Sequence, residues 1–390
     1  MTTLESLYLD PARSGVPWLL DPDNPDVIEG LRNVASRKPS DPCDAEALSA
    51  DLPDLLRLLQ ERHFGLATGE VDDAGMAAWS STWQHRLATE HPTTWGAATG
   101  TDMLRLRQLL RDGHAQAYGE DPKLLMAANP RRAEPTATDT DGPIVEEHIV
   151  DGVLALRVRR WFGTREDDDV LTDWAAAHKR HFRFDHIVLD LRGNDGGSDT
   201  YCTDWMADHL PAATQIVPDD RGWTIDGKLL VAWNTVVAMT AQHGADSVPS
   251  WLLEWQPHPT PDSVLTIEPS DNNQMPAGSS PWHGRMLVLT DRRSGSSSES
   301  SGWMLRRGLG ARIAGRASAG TIRFGQVAPY LLPRSELAVM LATKFNDYPT
   351  EVELAGIPVD IPLDPRLPLA DVAADFNRIW AMAHIDERAA

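Results

Sequence analysis

Phe184-Asp-His-Ile-Val-Leu-Asp-Leu-Arg-Gly-Asn-Asp-Gly-Gly-Ser198 is an apolar run that breaks into a glycine-rich turn. Residues 184–191 read as a strand buried on both faces, the kind found inside a parallel sheet. The glycines after it allow the backbone to approach a ligand closely and to point N–H groups at it. The plainer alternative is a tight turn. A phosphate loop is disfavoured, because neither Gly-x-x-x-x-Gly-Lys-Ser/Thr nor Gly-x-Gly-x-x-Gly occurs.

Outward from this strand, elements alternate. Gly152-Val-Leu-Ala-Leu-Arg-Val-Arg159 has the spacing of a strand, and 167–182 and 199–210 read as helices. Arg285-Met-Leu-Val-Leu-Thr290 is a second buried strand, followed by a helix through Arg307 and a short strand at 311–314. Strand alternating with helix predicts a mixed α/β layered core. Upstream, Leu48, Leu52, Leu55, Leu58 and Leu59 have helical spacing within 45–63, and Trp79 and Trp83 mark a helix at 74–90. A third helix, 101–111, stops at Asp112-Gly113. The expected organisation is a helical N-terminal domain at 1–120, a linker at 121–150 and an α/β core at 151–390. Residues 215–282, with Trp223, Trp233, Trp251, Trp255 and Trp282 among prolines, read as an insertion acting as a lid or binding loop. Residues 366–387 read as a closing helix, with Val372, Phe376, Ile379 and Trp380 on one face.

The formal charge, 36 − 57 = −21, argues against nucleic-acid or anionic-membrane partners. Two cysteines, Cys43 and Cys202, imply no disulfide framework. The N-terminus carries no basic and apolar export signal, and no stretch has the length to span a bilayer. The expectation is a soluble, reduced, cytoplasmic protein. Homo-oligomerisation stays open.

Asp291-Arg-Arg-Ser-Gly-Ser-Ser-Ser-Glu-Ser-Ser-Gly302 lies between a buried strand and a helix. Such a junction exposes a side chain and supplies free helix N-terminal N–H groups, which suits a nucleophile. Serine is also a common N-cap, and Ser296 with Glu299 fits a capping box. Leu109-Leu-Arg-Asp-Gly-His114 sets a histidine in a glycine-bounded turn just past a helix end, where it would be presented rather than buried.

Taken in order, these pieces resemble the tail-specific (C-terminal processing) peptidase family. The matching stretches are Asp112-Gly-His-Ala115, Asp190-Leu-Arg-Gly-Asn-Asp-Gly-Gly197, Leu289-Thr-Asp-Arg-Arg-Ser-Gly-Ser296-Ser-Ser-Glu299, Gly315-Arg-Ala-Ser-Ala-Gly320 and Glu353-Leu-Ala-Gly-Ile-Pro-Val-Asp360. The resemblance implies a crotonase-like α/β core and a serine hydrolase, a peptidase or amidase, with no cofactor and no metal. The family's Ser–Lys dyad places a lysine about two dozen residues after the serine. Here that region ends in Gly320-Thr-Ile-Arg323, and Lys344 is the only lysine beyond Ser296. The Ser-His-Glu style, as in the tricorn-core and retinoid-binding-protein-like branch, is the one implied. Its positions are Ser296 as nucleophile, His114 as general base and Glu353 orienting the imidazole. The oxyanion would rest on N–H groups of Gly196, Gly197 and Ser297.

The serine run leaves Ser297 and Ser298 as rivals to Ser296, and Glu351 as a rival to Glu353. Asp190 and Arg192 read as supports of the glycine turn. Val359 stands where the family has proline, Ala115 where it has threonine and Arg316 where it has glutamate. About forty residues between His114 and Gly152 are too few for the family's peptide-binding PDZ domain. A peptide or small amide substrate is therefore expected, with 215–282 as the specificity element. Acyl transfer or cyclisation by the same triad, and ligand binding without catalysis on the same scaffold, are the alternatives. His178 and His181 lack the glutamate of a zinc-protease helix.

Overall fold

The computed structural model describes residues 3–14, 16–67, 71, 73–118, 142–218, 220–223, 226–254 and 274–386. The chain divides into two compact units, each assembled from separated segments. The first comprises Met1–Pro130, Asp220–Pro269 and Phe324–Asn346; the second comprises Arg131–Asp219, Ser270–Arg323 and Asp347–Ala390.

The second unit is built on a six-stranded mixed sheet. Its order is Ile361–Pro362, Arg312–Gly315, Arg285–Thr290, His186–Asp190, Val153–Val158 and Val145–Val150. All neighbours run parallel except the last pair, which forms an antiparallel hairpin. The strand His186–Asp190 is covered on both faces, which explains its unbroken apolar run. Ile187 and Leu189 pack with Trp161, Trp174 and Trp205, whereas Val188 packs on the opposite side with Val372, Phe376 and Ile379. Successive side chains of a strand alternate in just this way. Burying each of the large apolar side chains contributes roughly 1.5–3 kcal/mol.

The first unit joins helices to an antiparallel sheet. The helix Ala45–Arg62 starts at Asp44, whose carboxylate accepts hydrogen bonds from Glu46 N and Ala47 N. It buries Leu48, Leu52, Leu55, Leu58 and Leu59 in a core shared with Trp79, Trp83, Leu106 and Leu110. Ala338–Asn346 is the hub of the sheet, pairing with Phe324–Leu331, Gln116–Ala117 and Asp220–Trp223.

Several expectations change. Within 121–150, residues 121–141 lie outside the described residues, but Val145–Val150 is a strand. It is an edge strand, and Glu146, Glu147 and His148 in its middle all keep some exposure, so no apolar run announces it. The 215–282 stretch contains a seventeen-residue helix, Gly227–His243, which buries Leu230, Asn234, Val237, Ala238 and Ala241 at helical spacing. Asn234 Nδ2 donates to Trp18 O and Pro329 O, and its Oδ1 accepts from Leu20 N, so this buried amide is fully paired. Trp255 and the side chain of Trp223 lie outside the described residues. The closing helix is two helices, Leu369–Ala374 and Phe376–Asp386, meeting at Asp375. Among the described residues no helix is long and apolar enough to cross a membrane.

Candidate active site

Because His186–Asp190 and Arg285–Thr290 are parallel neighbours, in register from His186↔Arg285 to Asp190↔Leu289, the turns at their C-terminal ends emerge side by side. The glycine turn and the serine turn are then stitched together. Gly193 N donates to Asp291 Oδ1 at 3.0 Å, Gly295 N to Asn194 O at 2.9 Å, and Ser294 Oγ to Leu191 O at 2.8 Å.

Ser296 stands where the chain passes from this turn into the helix Ser297–Leu309. Its backbone has φ +51° and ψ −119°, a conformation that L residues rarely adopt. Strain of this kind persists only where the surroundings over-determine it. Here the Ser296 N–H points to both Thr321 Oγ1 (2.9 Å) and Glu299 Oε2 (3.1 Å). Glu299 has no exposed surface and acts as a five-fold acceptor. Besides Ser296 N, its oxygens take Ser318 Oγ (2.5 Å), Gly320 N (2.9 Å), Thr321 N (2.7 Å) and Thr321 Oγ1 (2.9 Å). The capping-box glutamate thus also braces the 318–321 segment against Ser296, a role the Ser-x-x-Glu spacing alone does not reveal.

The serines of the run differ. Ser297 Oγ donates to Gly197 O at 2.7 Å, and Ser298 is fully buried, whereas Ser296 is only partly buried. Ser300 Oγ donates to Asp199 Oδ2 and Ser301 Oγ to Ser297 O, both at 2.6 Å.

Gly196 and Gly197 have φ of +118° and +135°. A Cβ on Gly197 would lie 2.2 Å from the carbonyl carbon of Trp161, so only glycine fits. The Gly196 N–H is already donated to Asn194 Oδ1 at 3.0 Å. The Gly197 and Ser297 N–H groups have no hydrogen-bond acceptor among the described residues.

Asp190 and Arg192 support the turn from beneath. Arg192 pairs with both oxygens of the fully buried Asp190 and donates to Pro365 O and Leu367 O, and Arg157 reaches Asp190 Oδ2 at 2.6 Å. Burial works against the Asp190 carboxylate, but Arg192 and Arg157 outweigh it and hold its pKa below the ordinary value.

Glu353 is buried in the same unit. Its Oε2 accepts from Ile322 N (3.1 Å) and Arg323 N (2.8 Å), directly after Thr321. Segment 318–323 is therefore tied to Ser296 through Thr321 and to Glu353 through Ile322 and Arg323. The rival Glu351 is exposed, in the one-turn helix Thr350–Val352.

His114 belongs to the first unit. The helix Trp95–Leu110 ends at Arg111 in a left-handed conformation (φ +50°), and the turn that follows buries His114 instead of presenting it. Asp112 Oδ1 accepts the His114 N–H at 2.7 Å and lies 3.6 Å from His114 Nδ1, while Asp112 Oδ2 lies 3.2 Å from His63 Nε2. Burial opposes the Asp112 charge, yet the contacts from His114 and His63 prevail and hold its pKa below the usual carboxylate range.

His178 and His181 diverge. His178 Nδ1 faces His209 Nε2 at 3.0 Å, while His181 takes Trp205 Nε1–H at 2.9 Å. Among the described residues no group of three or more His, Cys, Asp or Glu could hold a metal ion.

The model of Peptidase family S41 matches residues 155–363, more than half of the chain. No curated protein sequence matches the chain. Among solved structures it is similar to mature CPAF complexed with lactacystin, at 13% identity over 87% of this chain and 98% of that one, with a TM-score of 0.53. Mature CPAF is similar at 12% identity over 87% and 96%, with a TM-score of 0.52. The photosystem II D1 C-terminal processing protease is similar at 12% identity over 85% and 96%, with a TM-score of 0.42. At these identities the likeness to CPAF is one of fold alone. The family match spans the glycine turn, Ser296 and Glu353, with His114 upstream of it. By that match the chain belongs to peptidase family S41, the tail-specific or C-terminal processing serine peptidases.

Proposed function

We propose that the chain hydrolyses peptide or amide bonds through an acyl-enzyme formed on Ser296, with His114 as general base and Glu353 orienting the imidazole. The observation that carries this reading is the backbone of Ser296. A non-glycine residue at φ +51°, at a strand–turn–helix junction and beside a glycine turn, is what presenting a nucleophile requires.

In the first step Ser296 Oγ attacks the carbonyl carbon as its proton passes to the His114 imidazole. The C–N bond breaks as His114 returns that proton to the leaving amine. Water then attacks the ester carbon, giving its proton to His114; the bond to Ser296 Oγ breaks as His114 returns that proton to the serine oxygen, releasing the acyl group as a carboxylic acid. The N–H groups of Gly197 and Ser297 are the donors open to an oxyanion, and Gly196 supports them through its bond to Asn194. The crotonase-like description of the core and a cytoplasmic location belong to this same proposal.

Substrates are peptides, as the family implies, and small peptides or amides suit a chain without room for a PDZ domain between His114 and Gly152. Intact-mass labelling with a fluorophosphonate tests the reading. One adduct on wild type, absent from Ser296→Ala and strongly slowed in His114→Ala, supports it. No adduct under conditions that label a control hydrolase counts against it and favours ligand binding on the same scaffold.

A further inference from the structure

The buried cluster His63–Asp112–His114 holds two ionisable groups that the proposed chemistry does not use. His63 follows the helix Ala45–Arg62 and donates its backbone N–H to Leu59 O. Its side chain and that of Asp112 have no exposed surface. The His63 ring lies against Phe324, with centroids 5.2 Å apart. His63 Nδ1 has no partner among the described residues, so the ring's proton belongs on Nε2, where Asp112 Oδ2 accepts it at 3.2 Å.

A buried carboxylate costs free energy unless its oxygens are satisfied. Asp112 satisfies one oxygen with His63 and spends the other on His114, accepting its backbone N–H at 2.7 Å with the ring Nδ1 3.6 Å away. The contact to the main chain fixes where residue 114 sits. The contact to the ring favours a proton on Nδ1, which leaves Nε2 as the basic nitrogen. Two arginines also belong to this turn: Arg111 directly precedes Asp112, and Arg107 Nε donates to Ala115 O at 2.7 Å.

We infer that Asp112, held by His63, is a positioning residue for His114: it sets the imidazole's place and tautomer and stabilises the imidazolium from within the first unit. This rests on the proposed function, because it assigns Asp112 to the base of that reaction. The Asp112–His63 pair also explains why a glycine-bounded turn is buried at all, since an exposed carboxylate would be screened by water and would hold the ring weakly.

The test follows the rate of fluorophosphonate labelling of Ser296, with thermal melts confirming folding. Asp112→Asn keeps an oxygen for the His114 N–H but removes the charge. It is expected to label at least about tenfold more slowly, by analogy with the loss of a triad carboxylate. Asp112→Glu, which keeps the charge, should recover part of the rate that Asp112→Asn loses. His63→Gln, which can still donate to Asp112, should label at least about fivefold faster than His63→Leu. If Asp112→Asn does not fold, the Gln–Leu pair reads the same contact, and equal rates overturn the inference. Asp112→Glu that folds but labels no faster than Asp112→Asn also overturns it, since support of the fold alone does not distinguish the charged residue from the neutral one. Wild type that fails to label overturns the proposed function together with this inference. Labelling that depends on Ser296 and His114 but is indifferent to Asp112→Asn overturns the inference alone.

Discussion

A Cβ placed on Gly196 would lie 2.7 Å from the Cβ of Ser296, closer than real Cβ atoms come to a neighbouring carbon. The two belong to different turns, and their approach follows from the parallel pairing of the strands that precede them. Gly196 also holds φ +118°, which L side chains resist. Gly196→Ala should therefore push Ser296 away and lose about 1–3 kcal/mol. The expected result is a lower thermal midpoint and fluorophosphonate labelling slowed at least about tenfold. Unchanged labelling would show that the spacing of these turns does not govern the nucleophile.

Glu299 offers a second test. Each of its oxygens accepts at least two hydrogen bonds, so either orientation of a glutamine turns an NH2 group towards donors. Leaving buried donors unsatisfied costs about 1–3 kcal/mol each. Glu299→Gln should lower the denaturation midpoint and slow labelling together, because the same carboxylate braces Ser296 N. Thr321→Val should act in the same direction but more weakly, removing one acceptor for Ser296 N and one donor to Glu299.

The serine run is resolved by three alanine variants. Ser296→Ala should abolish the adduct. Ser298→Ala should leave it in place, since Ser298 is fully buried. Ser297→Ala should keep the adduct at a reduced rate, because its hydroxyl ties the helix start to Gly197 O. An adduct retained in Ser296→Ala and mapped to either neighbour would move the nucleophile.

The Asp190–Arg192 pair predicts how stability depends on pH. A carboxyl whose folded pKa is depressed contributes its full stabilisation above the unfolded value, about 3.9, and loses it as pH falls through the folded value. Urea midpoints measured from neutral pH downwards should therefore hold until about pH 4 and then fall. Arg192→Met leaves Asp190 buried with Arg157 as its remaining cation, at a cost of about 3–5 kcal/mol. That variant should be less stable at neutral pH and should lose less on acidification. Equal slopes in the two proteins would show that Arg192 does not set the Asp190 ionisation.

Much of the second unit was legible from residue order alone. The strands at His186–Asp190 and Arg285–Thr290 are apolar because they are covered on both faces, and glycines or serines follow each where the chain turns. Ser296 and Glu353 stand out as candidates because motif spacing is read along the chain and needs no knowledge of the fold. Residues 145–150 and 227–243 were harder to read. An edge strand needs no apolar run, and the helix Gly227–His243 is flanked by stretches of tryptophan and proline that lack its period. The hairpin formed by Phe324–Leu331 and Ala338–Asn346 went unread because its pairing lies between segments, not within either one.

The sequence by itself determined which chemistry-bearing residues the chain has, in what order, and which strands are buried, because these depend on local pattern. Only the tertiary structure decided that Thr321 accepts the Ser296 N–H, that Gly196 N is taken by Asn194, and that His63 meets Asp112. Each of these depends on contact geometry: His63 and Asp112 lie 49 residues apart, Ser296 and Thr321 lie 25 apart, and which donor Asn194 satisfies is set by the shape of its turn. No periodicity records which donor faces which acceptor once the backbone has closed.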